Sequence, residues 1–428
     1  MQMRILQDVY KFFQKNHKQL TKDCDGLLQD QRLFESVKNE NHSFAIVDFG
    51  ISACYHAYAY KLNIPYASFS LPVAPNFYRV PALASQTFVS AMPLSHAGDN
   101  MNFFSRLTNF LLLLSEYFFL WMLTTAHQKY FSDIAPGESL TGPLLVQNSK
   151  LWFYLNDPVI GNVMPLMPNT VEIADIMGRE ANLLPLELEN LISSAKAGAI
   201  IVSLGSRLSR IPEEISSVLF EGLKQTKFTV IMKKLGNSSK DLMGNIHLLD
   251  WLPQNDLLSH QNVKLFISHC GISSLIETVY HAVPMLAIPL QGDQFQNADR
   301  VEARGLGKQL KLGLFTADVL ADTIKSIVDN QDYAENALKL SRIFRDKPQT
   351  AAARASHAIK HVIKHGDGHL RTKAFNLSLY EFMMLDIYVF LLTATIIGAT
   401  VMLFCVKRCF QCIHKMMARK SLTKVKKS

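Results

Sequence analysis

Short apolar runs rich in β-branched residues alternate with stretches of helical periodicity through the second half of this chain. Residues 199–204, 228–232, 263–268 and 285–288 have the length and composition of strands buried on both faces. Ile272, Leu275, Ile276, Val279, Tyr280 and Val283 recur at i, i+3, i+4 and i+7, the apolar stripe of a helix lying on a sheet. Pro212-Glu213-Glu214 opens another helix, with Pro in the first turn and acids at the positive end of the helix dipole. Strand then helix, repeated, predicts an α/β fold built on a parallel, doubly wound sheet.

The first 160 residues carry the same alternation more faintly. Residues 44–49, FAIVDF, read as a strand and residues 51–62 as the helix after it. Residues 103–123 are strongly apolar but interrupted by Arg106 and Glu116, which predicts a buried or membrane-surface helix rather than a span. Residues 161–185, rich in Pro, Asn and Gly, read as a linker, and 365–368 as a second break. The expected organisation is a first domain with its linker over 1–185 and a second domain over 186–368. No internal repeat is visible.

Residues 387–406 carry no charge over 20 positions, enough for a helix of ~30 Å, the thickness of the hydrocarbon layer. The tail behind it, 407–428, holds eight of the 44 basic residues and no acid, and the remaining 36 basic residues match the 36 acids. The net charge of +8 therefore belongs to a tail, as in a transmembrane helix with a cytoplasmic end, and the body has no footprint for nucleic acid. Six cysteines, Cys24, Cys54, Cys270, Cys405, Cys409 and Cys412, are too few for a disulfide scaffold. Cys409 and Cys412 form a CxxC without further zinc ligands nearby, and they read as palmitoylated or unmodified. Sequons at Asn41, Asn237 and Asn376 all precede the span and suit a lumenal body. The N-terminus shows neither the apolar core nor the cleavage site of a signal peptide, so the expectation is a sequence incomplete at its start or targeted in another way.

The chemistry concentrates in residues 251–260, WLPQNDLLSH, and 266–294, FISHCGISSLIETVYHAVPMLAIPLQGDQ. A strand ends at Ser268-His269, a glycine turn follows, and a helix begins. Ligands of open α/β sheets bind at such strand ends, and a helix N-terminus offers free N–H groups to a phosphate. Gly271 permits close backbone approach, Ser273 and Ser274 add hydroxyls, Glu277 can accept from ribose, and Trp251 offers a plane for a base. Taken singly, each has an ordinary explanation as packing or as a helix cap.

Together these residues resemble the signature of the UDP-glucuronosyltransferase family, the membrane-anchored animal UDP-glycosyltransferases. The pattern aromatic-x-x-Gln, His-x-Gly-x-x-Ser-x-x-Glu, Pro-x-x-x-x-Pro and Asp-Gln is matched by Trp251 with Gln254, His269 through Glu277, Pro284 with Pro289, and Asp293-Gln294. Ser203-Leu204-Gly205-Ser206 resembles the family's diphosphate loop. Departures are Ser273, where many members have Asn, and Gln291-Gly292, where many have an aromatic and Ala.

The resemblance implies a GT-B arrangement of two Rossmann-like domains, the N-terminal one truncated, plus the transmembrane helix. It implies that Trp251 stacks the uracil and that Gln254 and Glu277 bind uridine. His269 with the loop at Gly205 and Ser206 would hold the diphosphate, Gly271, Ser273 and Ser274 would complete the UDP-sugar site at the helix start, and Asp293 and Gln294 would hold the sugar. It further implies hexosyl transfer, from UDP-glucuronate or UDP-glucose to a small lipophilic hydroxyl acceptor, with inversion and with neither metal nor cofactor. Asp23-Cys24-Asp25 resembles a metal-binding DxD but lacks the preceding apolar strand. Asp48 would orient a histidine base. That histidine belongs upstream of the Asp; His17 and His42 do not match its pattern, and His56, on the helix after the strand, reads as packing. The alternative expectation is therefore a truncated, non-catalytic member that binds UDP-sugar or pairs with relatives as a homo- or hetero-oligomer. Lys424 and Lys426 resemble a dilysine retrieval signal to the endoplasmic reticulum.

Overall fold

A computed structural model describes residues 22, 24–48, 53–70, 101–125, 128, 131, 134, 140–161, 163–205, 213–234 and 244–425. They form two compact units, 1–371 and 372–428.

The first unit holds two parallel sheets. Four strands, β1 (Ala45–Asp48), β2 (Tyr66–Ser70), β3 (Leu151–Tyr154) and β4 (Thr170–Glu172), lie in the order 1-2-3-4. Their helices are α1 (Gln31–Asn39), α2 (Cys54–Lys61), α3 (Phe103–Thr125) and α4 (Gly142–Gln147). After α5 (Leu186–Ser193) come β5 (Ala199–Ser203), α6 (Glu213–Lys224), β6 (Thr229–Lys233), β7 (Ile246–Leu249), α7 (Gln254–Leu258) and β8 (Val263–Ser268). The chain continues through α8 (Ile272–Tyr280), β9 (Met285–Ala287), α9 (Gln294–Ala303), β10 (Gly307–Gln309), α10 (Ala317–Val328), α11 (Gln331–Arg345) and α12 (Ala351–His365). The second sheet runs 10-9-8-5-6-7, all parallel.

Burial on both faces explains the uninterrupted apolar runs. Ile201 and Phe266 point into one core with Leu275, Ile276 and Val279 of α8, while Ile200, Val202, Leu265 and Ile267 point into the other with Leu219, Leu320 and Ile324. The first sheet divides its neighbours likewise. Trp152 and Tyr154 meet Ala57 of α2 and Leu145 of α4, whereas Leu151 and Phe153 meet Ala351 and Val362 of α12. Helix α12 thus follows the second sheet in sequence and packs on the first. Arg354 on it pairs with Asp175 and donates to the Glu172 carbonyl (3.0 Å), and Lys347 pairs with Asp157 (2.6 Å).

Three findings refine the sequence reading. The stretch read as a linker contains β4, Thr170-Val171-Glu172, whose two β-branched residues are too short a run to stand out after Pro165 and Pro168. Cys24 and Cys54 form one disulfide, which fastens the chain before α1 to the start of α2. Over Phe103–Leu114, helix α3 keeps Phe103, Phe104, Leu107, Phe110, Leu111 and Leu114 exposed, so this part of the stretch is not a buried helix.

In the second unit, α13 (Leu379–Phe382) precedes α14 (Leu385–Val425), a helix of 41 residues. Over Leu385–Lys415 it is long and apolar enough to cross a membrane, and none of its most apolar window is buried. Thr393, Thr395 and Thr400 donate their hydroxyls to the carbonyls four residues back (2.8, 2.7 and 2.8 Å), which satisfies them without water.

Candidate functional site

From β5 the chain winds outward through β6 and β7, then returns to the other side of β5 to wind through β8, β9 and β10. The strand order therefore reverses between β5 and β8, whose last residues, Ser203 and Ser268, are partners in register. Loops leaving neighbouring strands in opposite directions open a crevice at the carboxyl ends. A cavity of about 290 Å³ lies there. Gly205, Trp251, Gln254, His269, Gly271, Ser273, Ser274 and Glu277, all singled out in the sequence, line it, together with Ser203, Lys233, Leu252 and Ile272.

One end suits an anion. Gly271 is the N-cap of helix α8 and makes no side-chain cap bond, so the first N–H groups of the helix, on residues that line the cavity, are unclaimed by a cap. The approach is fixed by Cys270, whose φ of 63° turns the chain sharply. Its N–H donates to Ser268 Oγ (3.2 Å), and its carbonyl accepts from Asn297 Nδ2 (3.1 Å). Above this turn sits the His269 ring. Burial holds its pKa below the ordinary histidine value, against the Asp293 carboxylate and a hydrogen bond to the Ser203 backbone, both of which raise it. A neutral imidazole that can donate one N–H follows.

The other end suits a nucleoside. Trp251 is 71% exposed and free to act as a stacking platform. Gln254 Nε2 donates to Glu277 Oε2 (2.7 Å) and Ser274 Oγ (3.3 Å), fixing the carboxylate. Burial raises the Glu277 pKa, with the Gln254 hydrogen bond and the Arg179 charge opposing it. Arg179 comes from the stretch before α5, where it reaches Asp256 (3.5 Å) beside the Asn182 N–H (3.0 Å). A carboxylate that binds ribose hydroxyls must be ionised to accept two bonds. UDP affinity is therefore expected to fall on acidification, beginning at a higher pH than an ordinary glutamate would give. Glu277→Gln is expected to flatten that fall. Calorimetric UDP titrations between about pH 5 and pH 8 compare the two, and superimposable profiles would refute the role.

Lys233 is the cavity residue that sequence reasoning missed. It ends β6, donates to the Gly205 carbonyl (3.2 Å), and holds its ammonium 5.8 Å from the Trp251 ring centroid. Its only sequence signal is a charge closing an apolar run at a strand's carboxyl end. Asp293 and Gln294 stand outside the lining. Asp293 accepts from Asn297 Nδ2 (2.8 Å), and Gln294 Oε1 accepts from the N–H groups of Leu290 and Gln291 (2.9 and 3.0 Å), so both shape the neighbouring loop. Ser206, His17 and the Asn237 sequon lie outside the described residues.

Asp48 ends β1 in the other sheet, exposed, and among the described residues no histidine bonds its carboxylate. His42 pairs with Glu40 (2.8 Å). His56 is fully buried, with burial pressing its pKa down to about 3, and its Nε2 meets Ser68 Oγ at 2.9 Å. It packs.

A doubly wound sheet with a helix N-terminus, an exposed Trp and a carboxylate at its switch point defines a nucleotide-binding α/β protein. Residues 1–422 match the family described as UDP-glucoronosyl and UDP-glucosyl transferase, and the chain belongs to that family. UDP-glucuronosyltransferase 2C1 of Oryctolagus cuniculus is 33% identical over 405 residues, 93% of this chain and 79% of that protein. The 2-hydroxyacylsphingosine 1-beta-galactosyltransferase of Mus musculus is 32% identical over 385 residues, 88% of this chain and 70% of its own. Among solved structures, the glycotransferase of kitacinnamycin superposes with a TM-score of 0.58 at 18% identity, covering 80% of this chain and 81% of that one. UDP-glucose:anthocyanidin 3-O-glucosyltransferase in complex with UDP gives 0.53 at 19%, covering 80% of each. The fold is GT-B. The family is one of UDP-sugar glycosyl transfer, and the exposed apolar helix α14 fits a single-pass membrane protein.

Proposed function

We propose that this chain binds a UDP-hexose, glucuronic acid or glucose, and transfers the hexosyl group with inversion to a small lipophilic hydroxyl acceptor. The observation that carries this reading is the cavity at the β5/β8 switch point, with an uncapped helix start at one end and the Trp251, Gln254 and Glu277 group at the other. The uracil stacks on Trp251 and the ribose bonds Glu277. The diphosphate lies over Gly205 and Gly271, where the first N–H groups of α8, the His269 N–H and the Lys233 ammonium offset its charge. Charge offset of this kind supports departure of UDP without a divalent metal. Asp293 and Gln294, next to this end, are assigned to the sugar hydroxyls. A lipophilic acceptor is in keeping with the murine relative, which is named for galactosyl transfer to a hydroxyacylsphingosine.

Purified full-length chain is expected to bind UDP, and one of UDP-glucose and UDP-glucuronate more tightly than the other, in a calorimetric panel. Removing the ammonium with Lys233→Met is expected to weaken UDP about tenfold, the loss of one charge-assisted bond. Absence of saturable UDP binding by the folded protein would sink the proposal.

A second reading, a donor-binding member that works with relatives, is favoured by β1. Among the described residues this strand borders its sheet, with Ile46 59% exposed and Asp48 exposed beside it. An open strand edge is a place for another chain to pair. Transfer by the chain alone, compared with transfer after co-expression with a relative, separates the two readings.

The body is assigned to the lumen of the endoplasmic reticulum. The Cys24–Cys54 disulfide suits an oxidising compartment, and the basic tail suits the cytoplasmic side. Changing Lys424 and Lys426 to Ser is expected to redistribute the protein; an unaltered distribution would remove the retrieval signal from this account.

A further inference from the structure

Helix α12 turns Ala351, Ala355, Ile359 and Val362 onto the first sheet. Its outer side carries a histidine at every fourth position, His357, His361 and His365, which a 3.6-residue repeat places in one stripe. The helix then stops at Gly366, whose φ of 74° reverses the chain and carries His369 back over the stripe. Asp367 holds this reversal through Lys150 on the body (3.4 Å) and Arg371 (3.6 Å). Ring centroids of His361 and His365 are 5.0 Å apart, and those of His361 and His369 are 4.9 Å apart. Nε2 of His361 and Nε2 of His369 are 2.7 Å apart.

We propose that His361, His365 and His369 form a surface site for a late first-row divalent transition metal, with zinc as the reference ion. Imidazoles sharing a tetrahedral zinc at about 2.0–2.1 Å have ligating nitrogens roughly 3.3 Å apart and ring centres about 5 Å apart. Two of the three ring pairs, both through His361, already stand at that spacing. The His361 and His369 nitrogens need only separate by about 0.6 Å to admit the ion. As the side chains stand, no three metal-ligating groups among the described residues converge on one point. His365 is exposed, and rotation about its side-chain torsions would bring in the third nitrogen. His357, with its ring 6.2 Å from that of His361, lies one turn away from the return of His369 and is not a ligand.

Three imidazoles suit zinc, copper and nickel, and not calcium or magnesium, which take oxygen donors. Water would complete the coordination. None of the residues lining the nucleotide cavity lies on α12, so the ion acts as a clip, tying the end of the helix to the turn behind it, and not as a reactant.

The test is a calorimetric Zn²⁺ titration of the full-length chain in detergent. One ion per chain is expected, with a dissociation constant on the order of micromolar, weaker than a closed four-ligand site. Changes to outer-shell partners already cost about 10–100-fold in metal affinity, so His361→Ala and His369→Ala should each weaken binding at least about tenfold. His357→Ala should leave it within about twofold, and all three should bind UDP as the parent does. No saturable Zn²⁺ binding, or binding undiminished in His361→Ala and His369→Ala, would overturn the proposal. An equal loss in His357→Ala would do the same.

Discussion

Gly205→Ala is expected to cost about 2–3 kcal/mol of UDP binding, roughly a 30- to 150-fold loss, and to lower transfer at least as much. Gly205 sits at a φ of +98°, where a side chain is strained, and its added Cβ would lie 2.9 Å from Nε2 of His269. The methyl group cannot coexist with the imidazole in its present place. His269 must swing away from the helix start, and its N–H leaves the position assigned to the diphosphate. The Cβ added by Gly271→Ala would lie 2.8 Å from the same nitrogen. The two variants should therefore fail alike, and combining them should cost less than the sum of the separate losses. Calorimetry with UDP reads the effect, and circular dichroism checks that the fold persists. Affinity within about threefold of the parent in both variants would remove His269 from the diphosphate site.

Ending the chain at Arg371 is expected to move nearly all of the protein from the membrane pellet to the soluble fraction. Each Leu, Ile, Phe or Val at the centre of a span favours insertion by about 0.3–0.6 kcal/mol, and α14 supplies enough of them to hold the chain against alkaline carbonate. The cavity lies wholly before Arg371, so UDP affinity should stay within about threefold. Persistent pelleting of the shortened, folded protein would instead place a lipid contact on the body itself. The exposed apolar stretch of α3 from Phe103 to Leu114 would be the first place to look.

In the second sheet, what was legible in the sequence follows from how strands are covered. β5, β6, β8 and β9 are sheathed on both faces, and the sequence shows them as apolar runs within a residue or so of their ends. β7 and β10 lie at its edges among the described residues, where one side of the backbone is unpaired and side chains are partly exposed, and Gly307-Lys308-Gln309 offers no apolar signal at all. The cavity was legible because most of its lining is contiguous: one strand end, one turn and one helix supply His269, Gly271, Ser273, Ser274 and Glu277. Lys233 was not, because it joins them only through the pairing of β6 with β5. The Cys24–Cys54 bridge is of the same kind, a contact made by tertiary structure between cysteines 30 residues apart.

The return of α12 to the first sheet bears on how this protein can be cut and recombined. A fragment carrying the nucleotide cavity alone should end near Arg345. Extending it through His365 would leave Ala351, Ile359 and Val362 without the sheet that covers them, inviting self-association. Exchange of halves between family members meets the same constraint. The piece that travels with the first sheet is discontinuous in sequence and includes the segment from Lys347 through Arg371, whose Lys347, Arg354 and Asp367 are anchored on Asp157, Asp175 and Lys150. A chimera with a single crossover between the sheets would pair one parent's helix with the other parent's floor. Two crossovers, the second just after Arg345, keep each packing interface within one parent.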